Sequence, residues 1–199
     1  LELGLIVPPV RTRNSIELPP STYVIRVAGI EAGRGVAPRA SLLALGSGLE
    51  TLPGRSSPDP VFGIDGKWVP LEMRHSAELA GATVVDRASV IITHLSSVIQ
   101  AHAARLLSRE DVRQLTEGVK QVNPAVVEEL VPGLLSLGEV QRVLQRLLSE
   151  QVPIRDLGRI YEALTLRAKI STDAEGLVEA ARLQLAPALT AAHTHEGVL

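Results

Sequence analysis

The chain contains no cysteine, which excludes disulfide bridges and thiolate metal ligands and fits a reducing compartment without establishing one. Aromatic side chains are nearly as scarce, with one Phe, one Trp and two Tyr in 199 residues. Binding of nucleic acid on a sheet or groove needs aromatic platforms for stacking and a basic field for phosphates. A formal net charge of -2 and a pI near 6.2 supply no such field, so nucleic acid is excluded as a partner and proteins become the expected ones. Long apolar runs are missing too. The longest charge-free stretch, Ala88 to Ala104, carries Ser89, Thr93, His94, Ser96, Ser97, Gln100 and His102, too polar for the roughly 20 apolar residues of a membrane helix. The opening Leu1-Glu2-Leu3-Gly4-Leu5 has neither the basic start nor the apolar core of a signal peptide. It reads as if cut from a longer chain.

The motifs of catalysis are likewise missing. There is no GxSxG elbow for a nucleophilic serine and no GxxxxGK[ST] phosphate loop. Gly29, Gly33 and Gly35 do not have the GxGxxG spacing and read as turn chemistry. His94 and His102 lie eight residues apart on one helix, whereas helical metal pairs use a spacing of about four. They read as helix histidines with satisfied ring nitrogens. His193-Thr194-His195 belongs to the tail, and Arg155-Asp156 reads as a helix start. The expectation is a protein without catalytic residues, metal or cofactor.

What is present is 45% apolar content, enough for a sizeable core. Residues 1 to 37 read as strands, with Val10-Arg11-Thr12-Arg13 and Thr22-Tyr23-Val24-Ile25-Arg26-Val27 alternating around a Pro19-Pro20 connection. Leu42 to Leu45 is a short apolar strand, Leu49 to Asp65 an ordered loop, Trp68-Val69 a strand, Leu71 to Leu79 helical and Ala82 to Val85 a strand. From Asp86 to Leu107 the stripe Val90, Ile91, Leu95, Val98, Ile99 and Leu106 predicts one helix. Beyond it the pattern is helical throughout. Ser108 with Asp111, Ser136 with Glu139 and Thr172 with Glu175 have capping-box spacing, and Asn123-Pro124 and Asp156 mark further starts. Pro153 ends the helix of residues 136 to 151, and the helix from Asp173 to Leu189 turns Leu177, Val178, Ala181, Leu185 and Ala188 inward. The fold class is therefore α+β, mixed α/β followed by an all-helical part.

The chain is organised around Ser57 to Leu95. Asp59-Pro60-Val61-Phe62-Gly63 forbids a continuous helix and predicts a turned segment holding the chain's one Phe. Such a residue is either a core anchor or an exposed contact point, and composition favours the core. Together with Lys67-Trp68-Val69, Thr83-Val84-Val85-Asp86 and Thr93-His94-Leu95, flanked by Val7-Pro8-Pro9-Val10-Arg11, Leu52-Pro53-Gly54 and Leu144 to Leu157, these blocks stand in the order and spacing of the FlhA family. The chain resembles that flagellar protein-export component over nearly its whole length. Departures are local, such as Thr12-Arg13-Asn14-Ser15 and Ala82.

The resemblance implies a piece of the cytoplasmic half of a membrane protein. It implies a small mixed α/β subdomain with an inserted second subdomain, followed by an all-helical subdomain. Carried over, residues 1-37 with 87-106 form an N-terminally truncated first subdomain, 38-86 the insertion, 107-187 the helical subdomain, and 188-199 a tail or the start of a missing fourth. It further implies a soluble docking platform at the cytoplasmic face of the bacterial inner membrane, anchored through an absent N-terminal region and ring-forming at full length. Its implied partners are flagellar export chaperones with their late substrates and other export-apparatus components. Asp59, Phe62 and Thr93 match the family positions where these partners are recognised, and Leu43, Leu49, Val85 and Val90 match the apolar wall of that dimple. It thus moves Phe62 from core to dimple. The alternatives are the homologous export-gate component of a virulence-type III secretion system and, in another class, a hydrolase whose site carries no motif named above.

Overall fold

The computed structural model describes residues 3–195, and the side chains of residues 3–186. Ala188, His193 and His195 therefore lie outside the described side chains, as does the whole of the 188-199 tail. The chain divides into two compact units, Pro9–Ala101 and the segment that ends at Pro8 together with everything from His102.

In the first unit, β1 (Thr22–Val27) and β2 (Ile30–Val36) form an antiparallel hairpin with Val27 opposite Ile30. Its two-residue turn is Ala28 at φ 49° and Gly29 at φ 81°, a geometry whose twist matches that of the strands. Gly33 and Gly35 correct the turn reading, because both lie inside β2. A Cβ on Gly35 would stand 2.4 Å from the Tyr23 hydroxyl, and one on Gly33 would stand 2.8 Å from His94 Nε2. These glycines admit two side chains rather than bend the backbone. Val10-Arg11-Thr12-Arg13 is also corrected, since it is extended but unpaired. Among the described residues β1 and β2 pair only with each other, and an alternating pattern cannot supply the edge that a strand needs.

A second sheet has the order β4-β5-β3-β6, with β3 (Ser41–Gly46), β4 (Arg55–Ser56), β5 (Gly66–Pro70) and β6 (Ala82–Asp86) all antiparallel. The expected loop from Leu49 to Asp65 thus contains β4 and a 3-10 turn at Leu49–Thr51. Central β3 is apolar on both faces because both are covered, the condition for a continuous apolar run. Leu42 and Ala44 pack with Leu52, Val69, Ala77 and Ala82, with Ala77 on α1 (Arg74–Leu79). Leu43 packs with Ala37, Trp68 and Val90 on the other face. Val90 belongs to α2 (Arg87–Ala101), which starts directly from β6. The Asp86 carboxylate accepts from the Ser89 N–H at 3.0 Å and from its hydroxyl at 2.6 Å, bonds that hold its pKa below the usual carboxylate value and satisfy the helix start. The helix ends at Ala101 rather than Leu107; His102 departs from helical geometry before α3 (Ala103–Leu106). Its buried residues are Val90, His94 and Val98, with Leu95 and Ile99 half-buried.

The second unit is helical: α3, α4 (Arg109–Val122), α5 (Pro124–Glu129), α6 (Leu137–Ser149), α7 (Leu157–Ala168) and α8 (Ala174–His195). Two capping boxes form as predicted. Ser108 Oγ accepts from the Asp111 N–H at 3.1 Å while the Asp111 carboxylate accepts from the Ser108 N–H at 2.8 Å; Ser136 and Glu139 repeat this at 3.3 and 2.8 Å. Thr172 is corrected. Asp173 precedes α8 and accepts from the Gly176 N–H at 2.6 Å, one residue nearer the helix than the hydroxyl and ionic besides. Val140, Val143, Leu144, Leu147 and Leu148 of α6 and Leu177, Val178, Ala181 and Leu185 of α8 are buried; α8 packs against both α6 and α7. Tyr161 of α7 is fully buried; its hydroxyl donates to Thr116 Oγ1 at 2.7 Å, and that hydroxyl donates to the Val112 carbonyl at 2.7 Å. The N-terminal segment joins this unit through Leu3, whose carbonyl accepts from the Ile154 N–H at 2.9 Å.

Candidate functional site

The Asp59 turn is built by its own first residue. The Asp59 carboxylate accepts from the Val61 N–H at 2.9 Å and from the Phe62 N–H at 2.6 Å through one oxygen, Oδ2. Its backbone closes the loop at both ends, donating to the Ile64 carbonyl at 2.8 Å and accepting from the Gly63 N–H at 3.0 Å. Pro60 has no N–H to place, so every donor of the tight segment is accounted for. Asp59 is buried and 8% exposed, whereas Phe62, three residues on, is 71% exposed. An aromatic ring is thus held in water by a turn that leaves its backbone little freedom.

Tyr23 and His94 stand near this turn. Tyr23 Oη lies 2.8 Å from His94 Nδ1, and the rings meet edge to face at 75° with centroids 5.7 Å apart. Burial, and next the charge of Asp59, push the Tyr23 hydroxyl up to about 12. Burial pulls His94 below its usual 6.5, against the attraction of the same carboxylate. Asp59 therefore acts on both rings, and Thr93, one residue before His94 on α2, is exposed. The remaining matched positions divide. Leu43 and Val90 are buried together, with Val85 half-buried at their side, while Leu49 packs on the opposite face of the sheet. Tyr23 and His94 were not singled out from the sequence as site residues. The pair Gly33 and Gly35, two apart and so on one face of a strand, is the signal that would have found them.

A separate groove of about 690 Å³ lies on the helical unit between α6 and α8, floored by Val143, Leu177 and Val178. Two of its cations are engaged: Arg146 and Arg182 pair with Glu150 at 3.1 and 2.7 Å. Among the described residues no three His, Cys, Asp or Glu side chains converge as a metal site, and no helix is long and apolar enough to cross a membrane.

Comparison with known proteins adds that residues 1–199 match the profile of the FHIPEP family. The chain belongs to that family. Flagellar biosynthesis protein FlhA of Escherichia coli (strain K12) is 39% identical over 191 residues, which is 95% of this chain and 28% of the relative. FlhA of Bacillus subtilis (strain 168) is 38% identical over 198 residues, 98% of this chain and 29% of the relative. The chain thus spans under a third of the length of these FHIPEP relatives. Among solved structures, the CdsV protein of Chlamydia pneumoniae is 26% identical with a TM-score of 0.80, covering 92% of this chain and 54% of that one. The nonameric EscV cytosolic domain from a type III secretion system has a TM-score of 0.69 at 20% identity, covering 100% of this chain and 59% of that one, a likeness of fold alone. The α+β class read from the sequence is the one that these solved structures share.

Proposed function

We propose that this chain is a docking platform of the flagellar protein-export apparatus, and that the Asp59 turn binds export chaperones carrying their substrates. One observation carries the reading: the chain's one Phe is 71% exposed on a turn whose donors are all engaged. A large apolar side chain displayed on a rigid turn loses little conformational entropy on binding and supplies the buried area typical of an interface hot spot. In this reading Asp59 presents Phe62, Thr93 sets where the partner sits, Val85 flanks the contact, and Leu43 with Val90 support it from the core beneath, while Leu49, on the opposite face of the sheet, is left out of it. The division into residues 1-37 with 87-106, 38-86 and 107-187 belongs to the same proposal, as do a membrane anchor and a ring in the longer protein. The two relatives above that are 39% and 38% identical to the chain over the aligned residues are both named for flagellar biosynthesis, which favours flagellar over virulence-type export. Titration of the chain and its Phe62→Ala variant with a purified chaperone–substrate complex tests the reading. Loss of binding by a variant that still folds is the expected result; unchanged affinity refutes it.

A further inference from the structure

His94 is 7% exposed and is held from two strands at once. Tyr23 of β1 reaches its Nδ1 at 2.8 Å, and its Nε2 lies over Gly33 of β2, where any Cβ would come within 2.8 Å. One residue before it on α2 is Thr93, and the nearby carboxylate of Asp59 takes the Val61 and Phe62 N–H groups. We propose that Tyr23 and His94 are positioning residues of the docking surface: the neutral ring keeps the Thr93 turn of α2 and the Phe62 turn in their binding arrangement, and a proton on His94 releases it. This rests on the docking reading above.

A neutral imidazole that accepts at Nδ1 carries its proton on Nε2. Protonation makes Nδ1 a donor, so the Tyr23 O–H can no longer point at it and must rotate to accept instead. The new cation also attracts the Asp59 carboxylate, competing with the two N–H groups that fix the turn. The charged groups on the surrounding elements are Arg26 on β1, Glu31 and Arg34 on β2, Arg87 at the head of α2, and Asp59. Glu31 and Arg34 pair with each other at 2.8 Å, and Arg87 donates to the Ala37 carbonyl at 2.7 Å. Asp59 is the charge that acts on the ring. Because burial lowers the His94 pKa, the neutral arrangement is at full strength above about 6.5 and is lost as the pH falls below it.

The first test needs no partner. Backbone amide signals of Val61, Phe62 and Thr93 are followed by NMR from about pH 7.5 to about pH 5. They should shift with the His94 ring at one common midpoint below 6.5, and should stop doing so in His94→Gln. Tyr23→Phe keeps the packed ring but removes the donor to Nδ1, so the shared midpoint should rise. Amides that ignore His94, or a midpoint that Tyr23→Phe leaves in place, overturn the proposal. In the second test, affinity for a purified chaperone–substrate complex should fall about fivefold or more over that range, the lower end of typical coupling between sites, and His94→Gln should lose that dependence. A wild-type affinity flat with pH, while Phe62→Ala still weakens binding, overturns the positioning role and leaves the docking surface standing. An affinity indifferent to Phe62→Ala overturns the docking surface and the positioning role with it.

Discussion

The Phe62 N–H donates to the Asp59 carboxylate at 2.6 Å while Phe62 as a residue stands 71% exposed. Backbone and side chain of one residue are thus treated in opposite ways, the first tied down and the second displayed. Phe62→Ala should therefore cost folding about 1 kcal/mol or less, against the roughly 3 to 5 kcal/mol of a buried Phe. Binding of a chaperone–substrate complex should weaken by about 2 kcal/mol or more. Denaturant melts and calorimetric titration of the same preparation separate the two. A large stability loss with unchanged affinity would return Phe62 to a core role.

Asp59→Ala removes the acceptor shared by two N–H groups. The expected cost is about 1 to 3 kcal/mol, with faster amide exchange at Val61 and Phe62. Asp59→Asn retains a neutral acceptor and should recover much of the loss. Equal losses in both variants would show that charge rather than hydrogen bonding holds the turn.

Ala28 occupies the left-handed region at φ 49° in the β1–β2 turn. Asn tolerates that region better than Ala, so Ala28→Asn should stabilise the chain by up to about 1 kcal/mol. Ala28→Val, with a branched Cβ, should destabilise it. Urea midpoints at unchanged slope read both effects.

The start of α8 distinguishes two neighbouring residues. Asp173→Ala should cost about 1 kcal/mol, as for a lost N-cap, because Asp173 accepts from the Gly176 N–H. Thr172→Ala should stay within about 0.5 kcal/mol, as for an ordinary surface change. The reverse order of stabilities would restore the capping box read from Thr172 and Glu175.

Both tyrosines have raised pKa values, Tyr23 to about 12 by burial and then Asp59, Tyr161 by burial. The folded chain keeps these protons where the unfolded chain has lost them. Their contribution is complete below the ordinary tyrosine pKa of about 10 and is lost as the pH rises above it. Tyrosinate absorbance of the native chain should therefore stay low at about pH 10 and appear together with loss of helical circular dichroism. Ionisation of both residues at about pH 10 with the fold intact would contradict their burial.

Much of the fold was legible because its causes are local. Helix period and capping act over three or four residues, so Ser108 with Asp111, Ser136 with Glu139, Asn123-Pro124 and Asp156 marked helices that the structure contains. Leu42 to Leu45, with no polar residue in the run, announced a short apolar strand, which the fold then covers on both faces. Family membership was legible for a related reason, since several short blocks in one order survive as text.

Tertiary structure decided what depends on distant neighbours. Val10 to Arg13 had the alternation of a strand but no edge to pair with, and Gly33 and Gly35 became strand residues because Tyr23 and His94 needed their space. Leu43 and Leu49 belong to one predicted wall in the sequence, yet they pack on opposite faces of a sheet. Composition favoured a buried Phe62, but burial is set by what covers a residue, and on that turn the ring remains open to solvent. The amino-acid sequence by itself determined the helices, the turn at Asp59 and the family. Which side chains meet across β1, β2, α2 and that turn was decided only by the fold, because those contacts join residues up to 71 positions apart.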